Sequence, residues 1–304
     1  MNYKSPLYFL MEYNNNQIYI KREDLLPFSF GGNKLRICDC FFEDMQAQGA
    51  NHIIGYGPPT SNLCRVLANR AKSLHIPCTI VCASDTEPEP CNNAKMVAWF
   101  GANIVYCNKQ NVAQTIERVH QNIAAQGQKP YYIYGDFTGQ GNESTAARAY
   151  ATAYVEIAEQ IKEMGIQIDS IYHASATGMT QGGLLAGKYL HGGKEKIVGI
   201  SVARTKEQAL PHIAKYANSL AKVLLEEICF LDQYRLQYGQ YNQEIANTIG
   251  DVFAKHGIAL DSTYTGKAFW GMLCELQKVQ NKKVLFIHTG GSPLFFDNLQ
   301  EVLK

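Results

Sequence analysis

No apolar run in this 304-residue chain approaches the roughly 20 residues that a bilayer-spanning helix needs, so a helical membrane protein is excluded. The opening MNYKSPLYFL has neither a basic stretch leading into an apolar one nor a small-residue cleavage site, and a cytoplasmic protein is expected. Charge of one sign is also lacking. The 28 Lys+Arg offset 27 Asp+Glu to leave +1, and no basic block is present that could release counterions from a phosphate backbone. Nucleic acid is therefore not an expected partner. The nine cysteines are odd in number, scattered singly and without any Cys-x-x-Cys pair, which speaks against a disulfide framework and against a metal site. Cys78 and Cys82 fall in the apolar run IPCTIVCAS and read as core thiols. What is present is 46% hydrophobic residues in a length that suits two modest domains or one large α/β unit.

From about residue 51 short β-rich runs alternate with longer helical ones: NHIIGYG, then SNLCRVLANRAKSL, then IPCTIVCAS. The rhythm continues through NIVYC, a helical stretch from about Asn142 to Met164, DSIYHASA, TQGGLLAGKYL, EKIVGISVA, TGKAFWGMLCELQ and KKVLFIHTG. This predicts an α/β fold of parallel sheets with helices on both faces. In such sheets ligands sit beyond the carboxyl ends of the strands, so the loops after the strands are where chemistry is expected.

Four loops stand out. In FSFGGNKLRICDC, Gly31 and Gly32 permit close backbone approach, and Lys34 falls at the start of an amphipathic helix. A helix N-terminus carries partial positive charge, which lowers a lysine's proton affinity and favours the neutral amine that condenses with an aldehyde. Taken alone, the same residues also read as a turn followed by a solvated lysine. In YHASATGMTQGGLLAG a strand gives way to a helix through small residues and the hydroxyls of Thr177 and Thr180, an arrangement suited to phosphate. No Gly-Lys-Ser/Thr follows and the spacing is not Gly-x-Gly-x-x-Gly, so a nucleoside triphosphate or dinucleotide is disfavoured. In GYGPPTSNLCR, Ser61 and Asn62 take a helix N-terminus, where they serve equally as caps. In STYTGKAF and FIHTGGSPLFF, Thr265 precedes a helix and Thr289 follows a buried strand.

Together and in this order, KREDLLPFSFGGNKLR, GPPTSNLCR, ASATGMTQGGLLAG, QYGQYN, YTGKAF and HTGGSPLFF make nearly the whole chain resemble the fold-type II pyridoxal-phosphate enzymes. Within them it is similar to the D-cysteine desulfhydrase and 1-aminocyclopropane-1-carboxylate deaminase family. The resemblance implies pyridoxal 5'-phosphate as cofactor, bound through Lys34. It further implies that Asn33 serves the cofactor's 3-oxygen and that the turn Thr177, Gly178, Met179 and Thr180 holds its phosphate. Ser61, Asn62 and Leu63 fall at the substrate-binding positions, with Ser61 also a candidate for proton transfer. Tyr238 and Tyr264 match two active-site tyrosines, and Thr265 and Thr289 are candidate hydroxyl partners for the pyridine nitrogen.

Where the deaminase branch has a carboxylate after the tyrosine of YTGKAF, this chain has Thr265. A neutral partner stabilises a pyridinium less than a carboxylate does, which favours β-elimination from a small amino acid, with release of a 2-oxo acid and ammonia. Ring-opening deamination, β-replacement through an aminoacrylate, and cofactor binding without turnover are the alternatives. Leu63 stands where the desulfhydrase branch has His, Thr60 where it has Gln, and Ala176 and Met179 where the family tends to glycine. The implied architecture is a large cofactor domain of residues 1–47 and 151–304 and a small domain of 48–150, with the cofactor in the cleft, commonly in a homodimer.

Overall fold

A computed structural model describes residues 3–84 and 91–302. The strands in chain order are β1 (Leu7–Tyr13), β2 (Asn16–Arg22), β3 (His52–Tyr56), β4 (Cys78–Ala83), β5 (Asn103–Cys107), β6 (Pro130–Tyr132), β7 (Ser170–Ser175), β8 (Lys196–Ser201), β9 (Cys229–Leu231) and β10 (Lys283–His288). The helices used below are α1 (Asn33–Ala47), α2 (Asn62–Ser73), α3 (Asn92–Trp99), α4 (Val112–Ala125), α5 (Glu143–Glu163), α6 (Met179–His191), α7 (Lys206–Asn218), α8 (Gln243–His256) and α9 (Thr265–Leu276).

The chain divides into two compact units. One comprises the residues up to Asn33 together with those from Ala147 onward, and the other runs from Lys34 to Ala146. Helix α1, which the sequence reading grouped with the large domain, is tied into the second unit by Arg70 on Asp39 at 2.5 Å and by the Tyr131 hydroxyl on Asp44 at 2.6 Å.

The first unit is built on a sheet in the order β1-β2-β10-β7-β8-β9. All neighbours are parallel except β1 and β2, which form an antiparallel hairpin. This hairpin lies before residue 51, where the alternating pattern begins, and adds an antiparallel edge to the parallel sheet expected from that pattern. Asn14 and Asn15 take positive φ (48° and 56°), the geometry of a two-residue hairpin turn that asparagine tolerates, and the Asn-Asn pair was its sequence signal. Strand β10 lies buried within this sheet on both of its faces, and its run VLFIH is correspondingly apolar. Phe286 of β10 meets Phe269 of α9 edge to face at 5.0 Å in a core that also takes in Ile18, Ile20, Val198 and Ile200. The chain steps outward from β7 to β8 and β9, then returns to place β10 on the other side of β7. That reversal leaves a crevice at the carboxyl ends of β7 and β10.

The second unit repeats the device on a smaller scale, with the order β5-β4-β3-β6, all parallel. The chain steps from β3 outward to β4 and β5 and returns to β6, so the reversal falls at β3. Helix α2 packs closely on β3. A Cβ on Gly55 would lie 2.5 Å from Leu67 Cδ2 and 2.8 Å from Ile80 Cδ1, so glycine is what lets the helix settle on the strand.

Candidate active site

In the first unit, the segment leading to Lys34 is pressed against two turns. Gly31 and Gly32 take positive φ (61° and 95°), and a Cβ on them would meet Asp24 O at 2.2 Å and Thr289 O at 2.8 Å respectively. The Gly32 N–H donates to Glu23 O and the Asn33 N–H to Thr289 O. Asn33 is buried and its Nδ2 donates to Thr180 Oγ1 at 2.9 Å, which spends one amide hydrogen on the start of α6 and leaves the other. Lys34 follows directly. Its side chain keeps some exposed surface, yet burial of the amine dominates and lowers its pKa to about 8, opposed by Cys38 one turn further along α1. About one molecule in ten then carries the neutral amine at pH 7, far more than an ordinary lysine would. Burial raises the Cys38 thiol well above its usual range, so it stays protonated beside Lys34.

The turn after β7 opens onto α6 through Gly178 in the left-handed region (φ 96°), and among the described residues no side chain caps the helix. A Cβ on Gly178 would stand 3.1 Å from the Ile213 backbone nitrogen. Met179 points its bulk into the core, 1% exposed, so the departure from glycine there is absorbed by packing. Thr180 is buried beside it.

The turn before α9 is organised by Asp261, which is fully buried and was not foreseen from the sequence. Its carboxylate accepts from the backbone N–H groups of Thr263 (2.9 Å), Tyr264 (2.7 Å) and Thr265 (3.1 Å) and from Thr265 Oγ1 (2.8 Å). Burial raises its pKa, while the Thr265 and Tyr264 hydrogen bonds and nearby His288 pull the other way. The Thr265 hydroxyl also accepts from the Asp261 N–H at 2.8 Å, so its hydrogen is committed to Asp261. Thr289, by contrast, offers its backbone oxygen to Asn33 and is nearly buried at the carboxyl end of β10. His288 accepts from the Gly290 N–H at Nδ1 and faces Ala259 O with Nε2, which makes it the neutral Nε2–H tautomer, and burial lowers its pKa. Tyr238 and Tyr264 meet hydroxyl to hydroxyl at 2.5 Å with rings edge to face.

In the second unit, Ser61 caps α2, its Oγ accepting from the Cys64 N–H at 3.2 Å. Burial pushes the Cys64 thiol up to about 12 although Ser61 opposes this. Asn62 is half-buried at the first position of α2, and Leu63 is buried beside it. Arg65 is almost wholly buried one turn on, and desolvation lowers its pKa to about 10. Asp261, His288 and Arg65 escaped the sequence reading because a polar residue's burial depends on the tertiary fold.

An amine held below its usual range, an uncapped helix start behind a left-handed glycine, and hydroxyls at the reversal of a parallel sheet fit an aldehyde cofactor that carries a phosphate. Fold and residues together define a fold-type II pyridoxal-phosphate enzyme. Residues 3–290 match the pyridoxal-phosphate dependent enzyme family, and the chain belongs to it. The D-cysteine desulfhydrase of Yersinia pestis (strain Pestoides F) is 32% identical over 302 residues, covering 94% of this chain and 90% of that protein. That of Serratia proteamaculans (strain 568) is 30% identical over 301 residues, with the same coverage. A solved structure described as an ACC deaminase homologue superposes with a TM-score of 0.86 at 28% identity, over 99% of this chain and 94% of that one.

Proposed function

We propose that this chain is a deaminating lyase that removes the β-substituent of a small D-amino acid. With D-cysteine and water it would yield pyruvate, sulfide and ammonia. The observation that carries this reading is the turn before α9. Thr265 stands where the deaminase branch has a carboxylate, and the one carboxylate of the turn, Asp261, is spent on its own backbone. Relatives called D-cysteine desulfhydrase support the same choice.

Bound pyridoxal phosphate supplies an electron sink for charge developing at the substrate Cα. Lys34 would hold the cofactor, the α6 start from Thr177 to Thr180 would take its phosphate, and Asn33 would serve the ring oxygen with its remaining amide hydrogen. Thr289 would supply the hydroxyl partner of the ring nitrogen, while Thr265 is turned to Asp261. A neutral partner at the nitrogen shortens the lifetime of charge at Cα, so early loss of a β leaving group is favoured over ring opening. Ser61 and Asn62 take the substrate carboxylate at the α2 start, with Leu63 adding an apolar surface to that end. The Lys34 amine would remove the Cα proton, with Ser61 as the rival base. Tyr238 and Tyr264 line the substrate and offer the departing sulfur a proton from their paired hydroxyls. The nine free thiols suit a reducing compartment, and we place the enzyme in the cytoplasm as a homodimer.

The test is 2-oxo acid release by cofactor-loaded protein from D- and L-cysteine, D- and L-β-chloroalanine and 1-aminocyclopropane-1-carboxylate. Release from the D-amino acids is expected. Release from the cyclopropane alone, or a new amino acid formed when a thiol is added, would replace the proposal with a deaminase or a synthase. Lys34→Ala is expected to lose turnover by at least about a thousandfold together with the visible cofactor band, and a variant that retains both sinks the assignment. Because Lys34 is protonated below its pKa and neutral above it, cofactor uptake by the apoprotein should accelerate as pH rises, with a midpoint near pH 8 and a plateau above it. A midpoint near that of an ordinary lysine would show that burial does not tune this amine.

A further inference from the structure

Within the second unit, the orientation of one amide fixes that of another. The Thr60 carbonyl is an obligate acceptor, and Asn93 Nδ2 lies 2.8 Å from it, so the amide of Asn93 must face Thr60 with nitrogen. The same Nδ2 lies 3.0 Å from Asn62 Oδ1 and gives it the second hydrogen. Arg65, which can only donate, also approaches Asn62 Oδ1 with Nη2 at 3.4 Å. Two donors therefore fix the Asn62 oxygen on the side of Asn93 and Arg65, which leaves Asn62 Nδ2 on the other side of the amide as a hydrogen-bond donor at the α2 start. Asn93 is completely buried near the start of α3. That helix start is stitched to the same loop by Cys91, whose thiol donates to Pro59 O at 3.6 Å and whose sulfur accepts the Ala94 N–H at 3.5 Å.

We propose that Asn93 is the positioning residue for substrate-carboxylate recognition: by holding Asn62 Oδ1, it keeps Asn62 Nδ2 presented to the carboxylate. This rests on the reading of Asn62 as a carboxylate contact. A reversed Asn62 would offer an oxygen to an anion, so the effect of Asn93 is one of sign and exceeds its contribution to packing.

The test uses the holoenzyme and titrates the cofactor absorption band with D- and L-alanine, which have no β leaving group, and with D- and L-alaninol, which lack the carboxylate. Asn62→Ala and Asn93→Ala are each expected to weaken binding of the alanine enantiomer that wild type accepts by about tenfold, with the matching alaninol unchanged. The double variant should be no weaker than either single one. Asn93→Asp is isosteric and sets oxygen against Thr60 O and Asn62 Oδ1, so it should reproduce the loss, and it serves if Asn93→Ala does not fold. If Asn62→Ala weakens alanine binding and the Asn93 variants do not, the positioning role is overturned while the carboxylate contact stands. Equal weakening of alanine and alaninol by the Asn93 variants overturns it in favour of general loosening. If Asn62→Ala leaves alanine binding intact, or the wild-type band responds to neither enantiomer, the carboxylate contact itself fails and the inference falls with it.

Discussion

Helices α6 and α9 begin in the same unit and in the same way, each with backbone N–H groups turned toward a bend that follows a buried segment. They differ in what fills the bend. At α9 the protein supplies its own anion: the Asp261 carboxylate takes three backbone N–H groups and the Thr265 hydroxyl. At α6 a left-handed glycine stands in the cap position and, among the described residues, no side chain caps the helix. An anion seat already filled is architecture, whereas one left without an internal anion suits a ligand's phosphate. The contrast assigns different jobs to two loops that look alike in sequence.

Emptying the filled seat should have the largest effect. Asp261→Ala would orphan three buried donors and is expected to cost about 3 kcal/mol of stability in urea titration, part of it restored by inorganic phosphate occupying the vacated turn. A loss below about 1 kcal/mol would mean that the carboxylate does not hold the turn. Narrowing the open seat comes next. Gly178→Ala must place a Cβ 3.1 Å from the Ile213 nitrogen at a φ of 96°, and equilibrium dialysis should show cofactor affinity reduced by about 2 kcal/mol. Unchanged affinity would send the phosphate elsewhere. Thr265→Val should be the mildest, costing about 1.5 kcal/mol of stability through its lost hydrogen bonds while leaving the cofactor band unmoved, because the hydroxyl is turned to Asp261. A shifted band would instead put Thr265 against the ring.

The rhythm from residue 51 onward was legible because parallel strands buried on both faces must be short apolar runs between longer amphipathic ones, as in KKVLFIHTG. The helix starts at Lys34, Ser61 and Thr265 were legible for a related reason, since glycine, proline, serine and threonine punctuate the chain there. The N-terminal hairpin was passed over although Asn14 and Asn15 mark its turn, because a reading tuned to βαβ units gives little weight to an antiparallel edge. Asp261 and Asn93 were beyond reach for a different reason. An aspartate in LDSTYTG and an asparagine in CNNAKM are ordinary turn and cap residues until folding shows one fully buried under backbone donors and the other holding a neighbour's oxygen.

The placement of β10 also bears on how the protein is made. Strand β2 pairs with β10 and not with any strand synthesised before it except β1, and Lys282 N–H reaches Asn16 Oδ1 across 266 positions of chain. On a ribosome the hairpin must therefore wait, with the β2 edge that β10 will take left unpartnered, until β10 emerges. The second unit, whose strands are all local to one another, has everything it needs long before that. Translation would thus release a folded insert inside an unfinished host, and a chain truncated before residue 283 would lose a central strand of its sheet.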